Sequence, residues 1–154
     1  MCLIVDTNVA SEVLLEPPHA DFVPLRSCLV NQKPYPATLV CGGELRREYE
    51  KNRDVMIFVL NLGSAGRMRL VPDGLCDARA AELRQSAACA SDDEHIIALA
   101  QISGARLLCT KDLALQHDFR NPTLLNSPRG SVYLRPEHTS LIRRHCRQGR
   151  SRIR

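Results

Sequence analysis

The sequence predicts an α/β protein of three layers, helices covering both faces of a central parallel sheet, and three observations carry that expectation. Short continuous apolar runs, "CLIV" at 2–5 and "ARLLCT" at 105–110, have the length and composition of strands buried on both faces. Segments with helical spacing separate the strand-like runs, which is the alternation of βαβ units. A length of 154 residues is enough for one hydrophobic core that needs no crosslinks.

Taken in order, "CLIV" is followed by a brief helix through Val13, Leu14 and Leu15 that stops before Pro17 and Pro18. Phe22, Leu25, Arg26 and Leu29 recur at helical spacing, with the helix starting near Pro24. "KPYPATLV" reads as a connection holding at most a short strand. Apolar residues at Leu45, Tyr49, Met56, Val59 and Leu60 predict the longest helix, 44–62, bent near Asp54 and ending before Gly63. "MRLVP" at 68–72 is a second strand candidate, followed by a helix over 77–88. Ser91 and Glu94 fit a capping box, Ile96, Ile97 and Ala100 share one side of the helix that follows, and Gly104 closes it. After "ARLLCT" come a short helix in "KDLALQHDF", a turn-rich loop in "NPTLLNSPRGS" and a last edge strand in "VYL".

Composition narrows the function. No apolar run approaches the roughly 20 residues of a membrane span, and the amino end lacks a basic n-region, so a cytoplasmic protein is expected. Seven scattered cysteines without CxxC or Cys/His spacing fit a reducing compartment, and Cys2 and Cys109 read as small buried hydrophobes. The net charge of +4 is unevenly spread: 143–154 holds six arginines and no acid, leaving 15 basic against 17 acidic residues over 1–142. The expected organisation is therefore a domain over 1–142 and a basic carboxyl-terminal tail over 143–154, suited either to RNA phosphates or an acidic partner, or simply solvated. No G-x-x-x-x-G-K-[ST] loop is present, which argues against nucleotide hydrolysis of the P-loop type.

The acids carry the chemistry. Asp6 follows one buried strand and Asp112 the other, so a parallel sheet puts both beyond the same edge, where ligands bind in open α/β sheets. Glu44 at the start of the long helix and Asp93 near the start of another can point to that edge. Each acid alone is explained by capping, because helix N-termini carry orphan N–H groups and a positive dipole end. Capping does not require that two of them also end core strands. Four convergent carboxylates suit Mg²⁺ or Mn²⁺, which offsets their repulsion, activates water and screens a phosphodiester. Lys111, Arg46, Arg47 and Lys51 fit a solvated helix face better than an RNA contact, and His95 and His117 read as lone surface histidines.

Three segments, "IVDTNV", "GGELRREYE" and "DDEHIIALAQISGARLLCTKDLAL", in this order over about residues 1–135, resemble the PIN domain family, metal-dependent nucleases that include the toxin ribonucleases of bacterial toxin–antitoxin pairs. The resemblance implies a PIN-like fold and a metal-dependent endoribonuclease. It places Asp6, Glu44, Asp93 and Asp112 on the family's acidic metal positions, with Glu48 one turn on as the alternative to Glu44. Asp93 rather than Asp92 matches because it lies seven residues before Ala100. Asn8 and Thr110 fall on supporting polar positions. The resemblance further implies Mg²⁺ or Mn²⁺ as cofactor, RNA as substrate, a homodimer and an antitoxin partner. A different class of reading is a catalytically inactive RNA- or protein-binding module on the same fold. Phosphatase and receiver patterns are not met, since Asn8 stands where the former needs an aspartate.

Overall fold

The two apolar runs become the centre of the sheet. In a computed structural model describing residues 1–152, and side chains as far as Cys146, five strands lie in the order β3-β2-β1-β4-β5, all parallel. They are β1 (Cys2–Val5), β2 (Thr38–Gly42), β3 (Met68–Val71), β4 (Leu107–Cys109) and β5 (Ser131–Val132). Leu3, Ile4 and Val5 pair with Leu107, Leu108 and Cys109, and all six are fully buried. An all-parallel sheet needs a crossover on every connection, and helices supply them. They are α1 (Thr7–Leu14), α2 (Val23–Val30), α3 (Gly43–Glu50), α4 (Arg53–Ser64), α5 (Asp73–Ser86), α6 (Glu94–Ser103), α7 (Leu113–Arg120) and α8 (Thr139–Arg152). Contacts join α1 to α2 and α4, and α2 to α8; α5 packs on α6, which touches β2 and β3, so helices flank the sheet as expected. Among the described residues no helix is long and apolar enough to cross a membrane.

Several elements depart from the sequence reading. "KPYPATLV" opens a central strand: β2 begins just after the prolines, runs on to Gly42 and pairs with both β1 and β3. The long helix over 44–62 is two helices, because Asn52 caps α4 by accepting from the Val55 N–H at 3.3 Å, two residues before the expected bend. The longest helices are α5 and α8. The expected capping box does not form: α6 starts at Glu94, and Ser91 Oγ accepts instead from the Asp93 N–H. The buried carboxylate of Asp118 holds that turn by accepting from the N–H groups of Ala90 and Ser91, both at 2.9 Å. The boundary expected at 142/143 falls inside α8, where Ile142, His145 and Cys146 are buried. Residues 153–154 of that basic segment lie outside the described residues.

The junction between β2 and α3 is tight enough to require its two glycines. A Cβ on Gly42 would lie 2.5 Å from the Val71 carbonyl oxygen, and Gly43, at φ +59°, would bring one within 2.7 Å of Cys76 Cβ. Two ion pairs secure the junction from α5. Asp73 accepts from the Gly43 N–H and from Arg46, while Asp77 accepts from Arg47. Arg46 and Arg47 thus tie α3 to α5 rather than lying free on a helix face. Replacing Gly43 with Ala combines a left-handed backbone with overpacking, and should cost about 2–3 kcal/mol. A urea midpoint lowered at unchanged slope is the expected result, and an unchanged midpoint would contradict this account of the junction.

Candidate active site

From β1 the chain steps outward to β2 and β3, then returns to the other side of β1 for β4 and β5. The gap between the carboxyl ends of β1 and β4 is therefore the switch point of the sheet, the position where open α/β proteins form a binding crevice. Asp6 and Thr110 are the first residues beyond those two strands, and the Asp6 N–H still donates to the Cys109 carbonyl.

The fully buried Thr110 hydroxyl organises this edge. It donates to Asp6 Oδ2 at 2.7 Å and accepts from the Asn8 amide at 3.3 Å and the Asp112 N–H at 3.1 Å. One donor and two acceptor sites are all used. Asn8 Oδ1 in turn accepts from the Lys111 N–H. Asp6 and Asp112 do cap helices, but each spends one oxygen on it: Asp6 Oδ1 accepts from the Thr7 N–H at 2.8 Å, and Asp112 Oδ1 from the Leu115 N–H at 3.0 Å. Capping and convergence are thus compatible.

Asp93 is different. As the N-cap of α6 its side chain makes no capping bond, and it has neither hydrogen bond nor ion pair among the described residues. Burial, then the charge of Asp6, push its carboxyl up to about 6; His95 opposes this, and Asp112 and Glu48 add to it. Asp6 and Asp112 likewise have no cationic partner among the described residues. Nearby acids are matched instead: Glu12 with Lys111, Asp73 with Arg46, Asp77 with Arg47 and Glu94 with Arg84.

Of the other three expected acids, Asp6 and Asp112 therefore act on Asp93. Glu44 stands to one side, its Oε2 at 3.5 Å from Arg84 and 3.6 Å from His95 Nδ1. The fourth charge felt by Asp93 is that of Glu48, whose Oε2 accepts from the Thr7 hydroxyl at 2.9 Å. One turn of α3 separates the two glutamates, so the helix brings both toward the same region and its packing decides which faces Asp93.

His95 was expected on the surface and is not there. Only 6% of its side chain is exposed, and its Nε2 lies 3.6 Å from Glu48 Oε1. The sequence carries a signal for this: His95 opens the run "HIIALA", 95–100, apolar at every following position, and the structure buries all six. His117 is exposed, as expected, and all seven cysteines are free thiols. Cys109, with burial raising its pKa, sits too deep for reaction.

The chain matches no family model, no curated protein and no solved structure. The geometry therefore carries the functional argument.

Two outcomes test this description. Thr110→Val leaves Asp6 Oδ2 and the Asp112 N–H unsatisfied and should lower stability by about 1–3 kcal/mol, with Thr110→Ser restoring most of it. Equal loss in both variants would mean that packing rather than the hydroxyl matters. For Asp93, the folded pKa of about 6 lies above the ordinary 3.8. Between those values the folded state binds a proton that the unfolded chain does not, so this group's contribution to stability improves as pH falls. Buried His145, lowered to about 4, works in the opposite sense as pH falls below 6.5, so each variant is compared with wild type at the same pH. In chelator at pH 7.5, Asp93→Asn should melt above wild type, with the gap closing on acidification to pH 4. A variant that melts lower at pH 7.5 would refute the crowding of charge.

Proposed function

We propose that the protein is a metal-dependent endoribonuclease of the PIN type, hydrolysing RNA phosphodiester bonds in the cytoplasm as the toxin of a toxin–antitoxin pair. The observation that carries this reading is Asp93, a half-buried carboxylate without a partner among the described residues, raised to about 6 beside Asp6 and Asp112 at the sheet's switch point. Like charges held together in partial burial are costly unless a cation or a proton joins them.

Asp6, Asp93 and Asp112 would hold one or two Mg²⁺ or Mn²⁺ ions, hard cations suited to carboxylate oxygens, and Glu44 is the fourth acid that the family resemblance assigns. Such an ion, when bound, activates water and offsets phosphodiester charge during in-line displacement. The protein's own contribution is orientation. Thr110 fixes the plane of the Asp6 carboxylate, Asn8 buttresses Thr110 and the Lys111 backbone, and Asp112 keeps Oδ1 on its helix while Oδ2 stays free of hydrogen bonds among the described residues. The RNA substrate, the homodimer and the antitoxin rest on the resemblance in the three quoted segments.

The test pairs activity with binding. RNA should be cleaved with Mg²⁺ or Mn²⁺ and left intact in chelator, and Asp6→Asn and Asp93→Asn should each slow cleavage by about a hundredfold or more. Mg²⁺ should raise the melting temperature of wild type but not of Asp93→Asn. Cleavage that persists in chelator, or at full rate in both variants, would overturn the reading, as would an absence of metal-dependent cleavage and of any Mg²⁺ effect on melting.

A further inference from the structure

We propose that Glu44, Glu48 and His95 form a second cation site, separate from the Asp6, Asp93 and Asp112 cluster and suited to a divalent transition ion such as Zn²⁺. Glu44 also belongs to the expected carboxylate set, with Glu48 as its alternative, but His95 lies outside it, and the nuclease reading rests on Asp6, Asp93 and Asp112, so the two sites are told apart by His95.

The argument begins with an unsatisfied imidazole. His95 is buried and neither ring nitrogen has a hydrogen-bond partner. Buried polar atoms are seldom left this way, because desolvation then goes uncompensated. Carboxylates stand near both nitrogens, Glu44 Oε2 at 3.6 Å from Nδ1 and Glu48 Oε1 at 3.6 Å from Nε2. Those separations exceed hydrogen-bonding distance. One ion takes one ring nitrogen, so one of these separations belongs to its ligand set, and that one is close to the spacing of about 3.4 Å between ligand atoms around a tetrahedral Zn²⁺ with bonds of roughly 2.0–2.2 Å; the other carboxylate has to close in by a side-chain rotation. One ligand atom from each of the three residues can be chosen so that all lie within 4.8 Å of one another.

The scaffold suits such a site. Glu44 and Glu48 lie four residues apart on α3 and so share a face, while His95 comes from the first turn of α6, which packs against α3. Two of the ligands are steadied from outside. Arg84 approaches Glu44 Oε2 and also Glu94, and the Thr7 hydroxyl occupies Glu48 Oε2, which leaves Oε1 facing the imidazole. Outer-shell contacts of this kind orient metal ligands. Three protein ligands leave a fourth position open, on the side where Glu44 is 44% exposed. The imidazole donor decides the class of ion, since Zn²⁺ and its neighbours accept nitrogen readily whereas Mg²⁺ demands oxygen ligands.

The test is made on the full chain carrying both Asp6→Asn and Asp93→Asn, which disables the neighbouring cluster. Zn²⁺ titrated calorimetrically should bind one equivalent, and excess Mg²⁺ should not displace it. Adding His95→Gln or, separately, Glu44→Gln should weaken Zn²⁺ at least tenfold, with circular dichroism checking the fold. Wild-type protein provides a measurement independent of variants: the His95 ring resonances should shift on Zn²⁺ addition. Zn²⁺ affinity indifferent to both His95→Gln and Glu44→Gln would overturn the site. So would the absence of Zn²⁺ binding in the double variant together with unmoved His95 resonances in wild type, the result expected if His95 is an imidazolium bridging two glutamates. Because no RNA cleavage is read, failure here leaves the nuclease reading standing, and failure of that reading leaves this site standing.

Discussion

The hydrogen bond from the Thr110 hydroxyl to Asp6 Oδ2 joins the two central strands where the sheet reverses its order of travel. Much of the candidate site depends on it. β1 and β4 pair in parallel register, so their carboxyl ends coincide, but the register alone fixes only the backbone. The threonine converts that coincidence into a defined carboxylate plane, and the same oxygen receives the Asp112 N–H, setting the start of the segment from which Asp112 extends. Full burial shields this network from competing water, which makes each bond in it count for more.

Around that point the protein treats its acids unequally. Asp73 and Asp77 of α5 are paired with arginines of α3, and their role is to hold helices together: Asp73 lies low in pKa because Arg46 and the Gly43 N–H bond to it. Acids at the switch point receive hydrogen bonds or nothing, and no cation reaches Asp6, Asp93 or Asp112 among the described residues. A fold that needed only helix caps would not gather three carboxylates where burial makes their repulsion expensive. The contrast between satisfied acids on the flank and crowded acids at the edge is what gives the cleft its chemical character.

Glu44, Glu48 and His95 show how little sequence distance separates neighbouring environments. One turn of α3 separates a glutamate held by Arg84 from one held by Thr7, and His95, two residues from Asp93, lies between the two. Tyr49, on the same helix, donates its hydroxyl to the Val5 carbonyl and so pins α3 to the end of β1. The position of α3 is therefore set from the sheet, and the glutamates follow it.

The sequence by itself determined the α/β class, the two central strands and the acids beyond them, because buried parallel strands read as continuous apolar runs and strand ends are visible where those runs stop. Asp6 and Asp112 were legible for that reason. Other features were decided only by tertiary structure. Asn52 splits the expected long helix through a cap indistinguishable, by composition, from a surface amide, and β2 hides behind two prolines that resemble a loop. Asp93 is freed from capping because Asp118, far along the chain, holds the preceding turn. Which glutamate of α3 faces Asp93, and the burial of His95, follow from how α3 and α6 pack. Periodicity gives a side chain's face on its own helix, but its neighbours come from elsewhere in the chain, and only the folded arrangement specifies them.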